Sequence, residues 1–247
     1  MKFSIKQLSV AITMSVLSIS TAYADGLPNP GMEYSRGNTA VVITDPQVDF
    51  LSPKGVTWGV VGESVTKNNT VENLESLMKT AKKKDIPLFI SPHYYYPHDH
   101  KWQHQGSLEV LMHNINMFDR KDALSLDGFK NSGADWLPKY KKYINDGETI
   151  VTSPHKMYGP DSNDLVLQLR KRGIGKVILA GMSSNLCTES HLRELMEQGF
   201  EVQVVSDATA GAILPGMNAY EASLINFRMI ANSVRNTKET VKLMTKI

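Results

Sequence analysis

Six consecutive residues, Thr39 to Thr44 (T-A-V-V-I-T), place the strongest constraint on this chain. Nothing polar lies between the two threonines, so a strand built from them tolerates water on neither face and belongs inside a parallel sheet covered on both sides. Further strand-like runs follow at Ile86 to Ile90, Glu148 to Thr152, Lys176 to Ala180 and Glu201 to Val205. Helical periodicity fills the gaps. Thr66 to Lys84 carries Val71, Leu74, Leu77, Met78 and Ala81 on one face, and Asp161 to Arg172 is stopped by Gly173. A third helical stretch runs to Gln198 before Gly199, a fourth lies near Ala219 to Asn232, and a short one starts at Lys238. Strands that alternate with helices imply right-handed crossovers and an α/β chain, a three-layer α/β/α sandwich on a mostly parallel, Rossmann-like sheet.

Residues 1–24 have the pattern of a secretory signal peptide. Lys2 and Lys6 precede a mostly apolar stretch, Leu8 to Ile19, and Ala22-Tyr23-Ala24 supplies a small-x-small cleavage site. The apolar stretch is too short and too polar to span a bilayer. Cleavage leaves 223 residues, an N-terminal extension over 25–38 and one domain over 39–247, with a periplasmic or secreted location. The two signal lysines leave with it, so 25 Lys and Arg face 25 Asp and Glu, a balance that excludes a nucleic-acid-binding surface built on net charge. No membrane role is expected after cleavage. One cysteine, Cys187, remains, so no internal disulfide forms and stability must come from the core.

Ligands of open α/β sheets bind beyond the carboxyl ends of the strands. The polar residues there are Asp45 to Phe50 after the first strand, Ser91-Pro92-His93 after the second, Ser153 to Lys156 after the third, the Cys187 turn after the fourth and Ser206-Asp207 after the fifth. Cys187 follows a strand and a glycine turn and stands at the head of a helix-compatible run. Unpaired N–H groups and the positive end of the macrodipole favour a thiolate at such a place. A lone cysteine is more often a small buried hydrophobe. The strand-to-helix turn, the neighbours Ser183, Ser184 and Asn185, and the exported compartment weigh towards chemistry. A carboxylate, a cation and a thiol gathered at this edge form a hydrolytic set.

The motifs D-P-Q-V-D-F (Asp45 to Phe50), a lysine after the third strand, and A-G-M-S-S-N-L-C followed by H-L-R-E-L-M-E-Q-G-F-E-V-Q-V-V-S-D-A make the chain resemble the isochorismatase-like cysteine hydrolase superfamily, which includes nicotinamidases and N-carbamoylsarcosine amidohydrolase. The resemblance covers about Thr39 to Ala212. It implies Asp45 as general base, Lys156 as supporting cation and Cys187 as nucleophile, with an oxyanion hole from the backbone N–H groups of Ser183 and Cys187 and a cis peptide at Met182-Ser183. The choice of Lys156 over His155 rests on the resemblance alone. Gln47, Phe50, His93 and Tyr94 are the expected substrate contacts, and homo-oligomerisation is implied by the resemblance only.

Two features depart from that pattern. His191 stands four residues after Cys187, on the same helical face, where a Cys–His pair competes with a packed histidine. The stretch Ser91 to His104 holds His93, His98, Asp99, His100 and His104, donors suited to Zn²⁺ or Fe²⁺, at a spacing that does not match the nicotinamidase site. The expected enzyme requires no cofactor and no metal, with a divalent ion as the lesser alternative. Residues 92–147 exceed a simple connection and read as an insertion with a helix over Leu108 to Met117, a place for a lid or pocket wall. Together these features point to an exported hydrolase that opens a small amide, imide or ureido C–N bond through a Cys187 thioester. The alternatives are a thiol-reactive or redox protein, or a non-catalytic small-molecule-binding protein, on the same fold.

Overall fold

A computed structural model describes residues 26–247, so the signal-peptide reading of 1–24 lies outside the described residues. Residues 26–30 form a short segment without helix or strand, and residues 31–247 form one compact unit. Its elements run in the order β1 (Thr39–Thr44), α1 (Val48–Leu51), α2 (Trp58–Lys67), α3 (Thr70–Lys83), β2 (Leu88–Ser91), α4 (Ser107–Asn114), α5 (Lys141–Ile144), β3 (Ile150–Val151), α6 (Leu165–Lys171) and β4 (Lys176–Met182). A π turn (Ser184–Thr188) leads into α7 (Glu189–Glu197), β5 (Glu201–Ala210), β6 (Ile213–Leu214), β7 (Met217–Asn218), α8 (Ala219–Ile230), β8 (Ser233–Arg235) and α9 (Thr237–Met244).

The main sheet has the strand order β3-β2-β1-β4-β5-β8 and every pairing in it is parallel. The apolar run of β1 shows why two covered faces are required. Val41 and Ile43 enter a core shared with Leu74, Leu77 and Met78 of α3, while Ala40 and Val42 enter a second core with Leu165 and Leu169 of α6 and Leu192 and Leu195 of α7. All four β1 side chains are fully buried, at roughly 1.5–3 kcal/mol for each of the larger ones. Alternate side chains of one strand thus hold two helical layers to one sheet, and the α/β/α sandwich follows.

Several boundaries differ from expectation for local reasons. The helix expected over 66–84 is two helices, because Asn69 adopts a left-handed φ of 57° that an asparagine accepts and that breaks the run before Thr70. β3 is shorter than expected, and its Val151 is partly exposed on an edge strand. β8, in which Val234 is the only large apolar residue, is too short and too mixed to announce itself. The insertion over 92–147 is pinned to the sheet's carboxyl edge by bridges Gln47↔Trp136, His93↔His155 and Tyr95↔Asp119, and α4 forms within it as expected.

The approach of β1 to β4 fixes the position of the site. Gly181 has φ 121°, and a Cβ there would lie 2.1 Å from the Thr44 carbonyl oxygen, so only glycine fits. The Thr44 hydroxyl donates to the Met182 carbonyl at 3.0 Å and lies 3.2 Å from the Thr188 hydroxyl. These contacts tie the end of β1, which carries Asp45, to the turn that carries Cys187.

Candidate active site

Asp45 follows β1 directly and holds a left-handed φ of 46°. Its side chain is wholly buried, as is that of His155, which follows β3. His155 Nε2 and Asp45 Oδ1 are 2.9 Å apart, and His155 Nδ1 donates to the Met157 carbonyl at 3.1 Å. One proton therefore sits on Nδ1 and a second lies in the Nε2–Oδ1 bond. The other carboxylate oxygen, Asp45 Oδ2, has no hydrogen-bond partner despite complete burial. A bare buried carboxylate oxygen is costly, and here it belongs to the residue grouped with the Cys187 sulfur.

Cys187 supplies the complement. The π turn carries it, five residues after the end of β4 and two before the start of α7, and π turns of this kind are common at functional sites. One donor atom from each of Asp45, His93, His155 and Cys187 lies within 4.8 Å of all the others. Burial pushes the Cys187 thiol well above the ordinary thiol range, and the adjacent Asp45 carboxylate pushes it further, while the backbone N–H groups of Ser183 and Cys187 pull the other way. The expected helix-terminus thiolate is thus overridden in the free protein. Desolvation and a neighbouring negative charge outweigh the two N–H groups, and the resting group is the thiol. The Met182-Ser183 peptide is cis, as the resemblance implied.

The residues expected around this centre divide. Lys156 does not face Asp45 or Cys187. Its ammonium is ion-paired with Asp99, donates to the Tyr94 carbonyl at 2.9 Å and lies 3.8 Å from the centre of the Tyr96 ring. The preceding residue, His155, takes the place beside the carboxylate. The bridge His93↔His155 seats His155 in the interior, and Lys156, the next residue, points to another side, where it meets Asp99. Of the four expected substrate contacts, Phe50 lines the cavity described below. Gln47 clamps His93 instead, donating to the carbonyls of His93 and Ala134 at 2.9 and 3.0 Å and accepting from the His93 N–H at 3.1 Å. Tyr94 is buried under the Arg120 guanidinium.

His93 belongs to the polar centre. Its Nε2 donates to the Lys156 carbonyl at 3.1 Å, leaving Nδ1 a buried acceptor with no partner. Burial, aided by His155, holds it well below the usual histidine range, so the ring is neutral. His191 is not paired with the thiol. Its Nδ1 donates to the carbonyls of Cys187 at 2.7 Å and Tyr158 at 3.1 Å, and its Nε2 accepts from the Ser91 hydroxyl at 2.8 Å. The ring anchors the backbone of the nucleophile's turn. Within the His-rich stretch, His98 approaches Asp99 at 3.3 Å and His100 pairs with Asp119 at 2.8 Å, and neither is grouped with His93. Among the described residues, the set with metal-ligand reach is Asp45, His93, His155 and Cys187, which is the polar centre itself.

Cys187 and Ser183 open onto a cavity of about 280 Å³. Phe50, the α2 residues Val60 and Val61, and the α4 residues Leu108, Leu111 and Met112 form its walls.

The isochorismatase domain matches residues 39–239. The chain belongs to the isochorismatase family. Among its relatives, it is 30% identical over 115 residues to the uncharacterized isochorismatase family protein YwoC of Bacillus subtilis, covering 43% of this chain and 59% of that one. It is also 30% identical over 87 residues to the secreted isochorismatase effector Isc1 of Verticillium dahliae, covering 35% and 45%. The chain thus spans about half the length of these relatives. In structure it is similar to a cysteine hydrolase from Pseudomonas syringae pv. phaseolicola, with TM-score 0.71 and 18% identity over 90% of this chain and 99% of that one. It is similar as well to the N-carbamoylsarcosine amidase of Thermoplasma acidophilum, with TM-score 0.57 and 16% identity over 81% and 96%. At these identities the structural likeness establishes the fold alone.

Two outcomes follow from the electrostatics. At pH 7 Cys187 of the folded protein alkylates with iodoacetamide about tenfold more slowly than a free cysteine, and Asp45→Asn, which removes the adjacent charge, speeds it. Rapid labelling of the wild type below pH 8 would contradict this. His191 is lowered to about 3 by burial, with His155 adding to it. A depressed histidine contributes stability that is complete above its unfolded value and is lost as pH falls through about 6.5 towards the folded value. Denaturant unfolding at pH 7 and pH 5 should therefore show His191→Gln losing about 2 kcal/mol less than the wild type over that interval.

Proposed function

We propose that this protein hydrolyses a small amide, imide or ureide C–N bond through a thioester on Cys187. The observation that carries the reading is the wholly buried Asp45, one oxygen held by His155 and the other bare, grouped with the Cys187 sulfur at the floor of a cavity.

In the proposed cycle, the substrate carbonyl docks against the N–H groups of Ser183 and Cys187. The Cys187 thiol gives its proton to Asp45 Oδ2 as the S–C bond forms, which is how a thiol with a raised pKa still attacks. The tetrahedral oxyanion rests on the two N–H groups, which are fixed before it forms. The C–N bond breaks, and the nitrogen leaves with the proton from Asp45. Water then attacks the thioester and gives a proton to Asp45. Collapse of this second intermediate returns a proton to sulfur and releases the carboxylic acid. One amide and one water become one acid and one amine.

His155 keeps Asp45 oriented and shares a proton with it throughout, the duty the resemblance gave to Lys156. The N-carbamoylsarcosine amidase and cysteine hydrolase among the structural neighbours support a C–N bond and a sulfur nucleophile as parts of this proposal. Export, carried by residues 1–24 alone, is part of it as well, with a small molecule as partner.

Steady-state kinetics on an amide panel test the assignment. Asp45→Asn and Cys187→Ser should each lower kcat by about 10³-fold or more, and His155→Ala by about 10²-fold. Lys156→Ala should stay within about threefold, because its pair with Asp99 lies outside the centre. A Lys156→Ala loss equal to that of His155→Ala would reverse the assignment of the two residues.

A further inference from the structure

The cavity that opens on Cys187 has sixteen lining residues, and none carries a charge. Eleven of them are hydrocarbon or thioether side chains, and the polar ones are Thr57, Tyr158, Ser183, Asn185 and Cys187. The charged groups nearby are already engaged. Lys156 is paired with Asp99, and the Arg120 guanidinium donates to the Ser125 carbonyl at 2.8 Å while lying over Tyr94 and Phe129. Glu109 turns its carboxylate onto the Gly106 N–H at the start of its own helix, at 2.6 Å. Among the described residues, no cation faces the cavity.

The mouth continues the same chemistry outward. Val56, Val60 and Leu111 line the cavity and are 49%, 38% and 52% exposed. Large apolar side chains held at the rim of an apolar recess mark a surface meant to be covered by a ligand. A volume near 280 Å³ is about twice that of a cavity that binds benzene, so it takes a ring with a short chain, or an alkyl group of similar bulk. An anionic substituent placed there would lose its water and find no counter-charge.

We propose that the group flanking the scissile carbonyl is neutral and apolar, an aryl or alkyl substituent that fills the recess between α2 and α4, and that carboxylate-bearing amides are excluded. This rests on the hydrolase reading for its turnover, and on the lining of the cavity for its specificity.

The test compares two matched pairs, benzamide with 4-carbamoylbenzoate and hexanamide with adipic acid monoamide. In the wild type kcat/KM for the neutral member should exceed that for the anionic member by about 100-fold or more in each pair. Leu111→Arg, at a half-exposed position on α4, should shrink that ratio by about tenfold by improving the anionic member, and Leu111→Met should leave it unchanged. Ratios near one, or a preference for the anion, overturn the proposal while leaving the hydrolase reading intact. If neither member of any pair is turned over, the hydrolase reading fails, and calorimetric binding of the same four compounds to wild type and Cys187→Ala decides the cavity by itself. Tighter binding of the neutral members sustains it, and equal or absent binding overturns it.

Discussion

The hydrogen bond between Asp45 and His155 is made beyond the reach of bulk solvent, and the rest of the site is arranged around that fact. A carboxylate and an imidazole 2.9 Å apart and fully buried must satisfy each other, since no solvent can. The surroundings allow little play. His155 is held on its far side by the Met157 carbonyl, and Asp45 is held by the end of β1, whose every residue is buried. What the pair leaves over is one bare oxygen beside a thiol that burial has kept protonated. Proton donor and proton acceptor therefore face each other at rest, and in the proposed cycle the thiolate forms only as a bond to carbon replaces the bond to hydrogen. This protects the sulfur: a lone cysteine that stays a buried thiol resists oxidants and stray electrophiles better than a standing thiolate.

The same economy runs outward from the centre. Gln47 fixes the backbone of His93 on both its N–H and carbonyl sides, and His191 fixes the carbonyl of Cys187 while remaining neutral. Neither touches the cavity. They hold the loops after β2 and β4 at the separation that β1 and β4 impose, through the close contact at Gly181. The insertion then contributes α4 as one wall of an apolar recess. Charge is concentrated in a small, dry polar centre, and the larger space beside it is hydrocarbon. In the proposed function, chemistry belongs to the sheet edge and specificity to the apolar recess, to which the insertion adds α4.

How much of this could be read from the chain alone varies by element. β1 was legible to the residue because its continuous apolar run admits one environment, and Asp45 and Cys187 followed from their places after strands. The π turn was not legible, since S-S-N-L-C-T is equally compatible with an ordinary helix start. The placing of His155, and not Lys156, beside Asp45 was invisible for a sharper reason. Adjacent residues in extended chain point to opposite sides, so a choice between them depends on strand register, which the bridge between His93 and His155 sets and no local pattern announces. The thiol's charge state went wrong because a helix terminus was weighed without the desolvation that a fully covered turn brings. The role of Gln47 was missed because its partners are backbone atoms of two distant loops.

The most direct test of the thioester route is rapid-quench intact mass spectrometry of the wild-type protein mixed with excess hexanamide at neutral pH. The acyl group should appear on the peptide containing Cys187 within the first turnover, as a mass gain equal to the amide minus ammonia. It should be absent in Cys187→Ala and slowed in His155→Ala. Amide turnover without any such adduct, or turnover that survives in Cys187→Ala, would contradict the assignment of Cys187 as nucleophile.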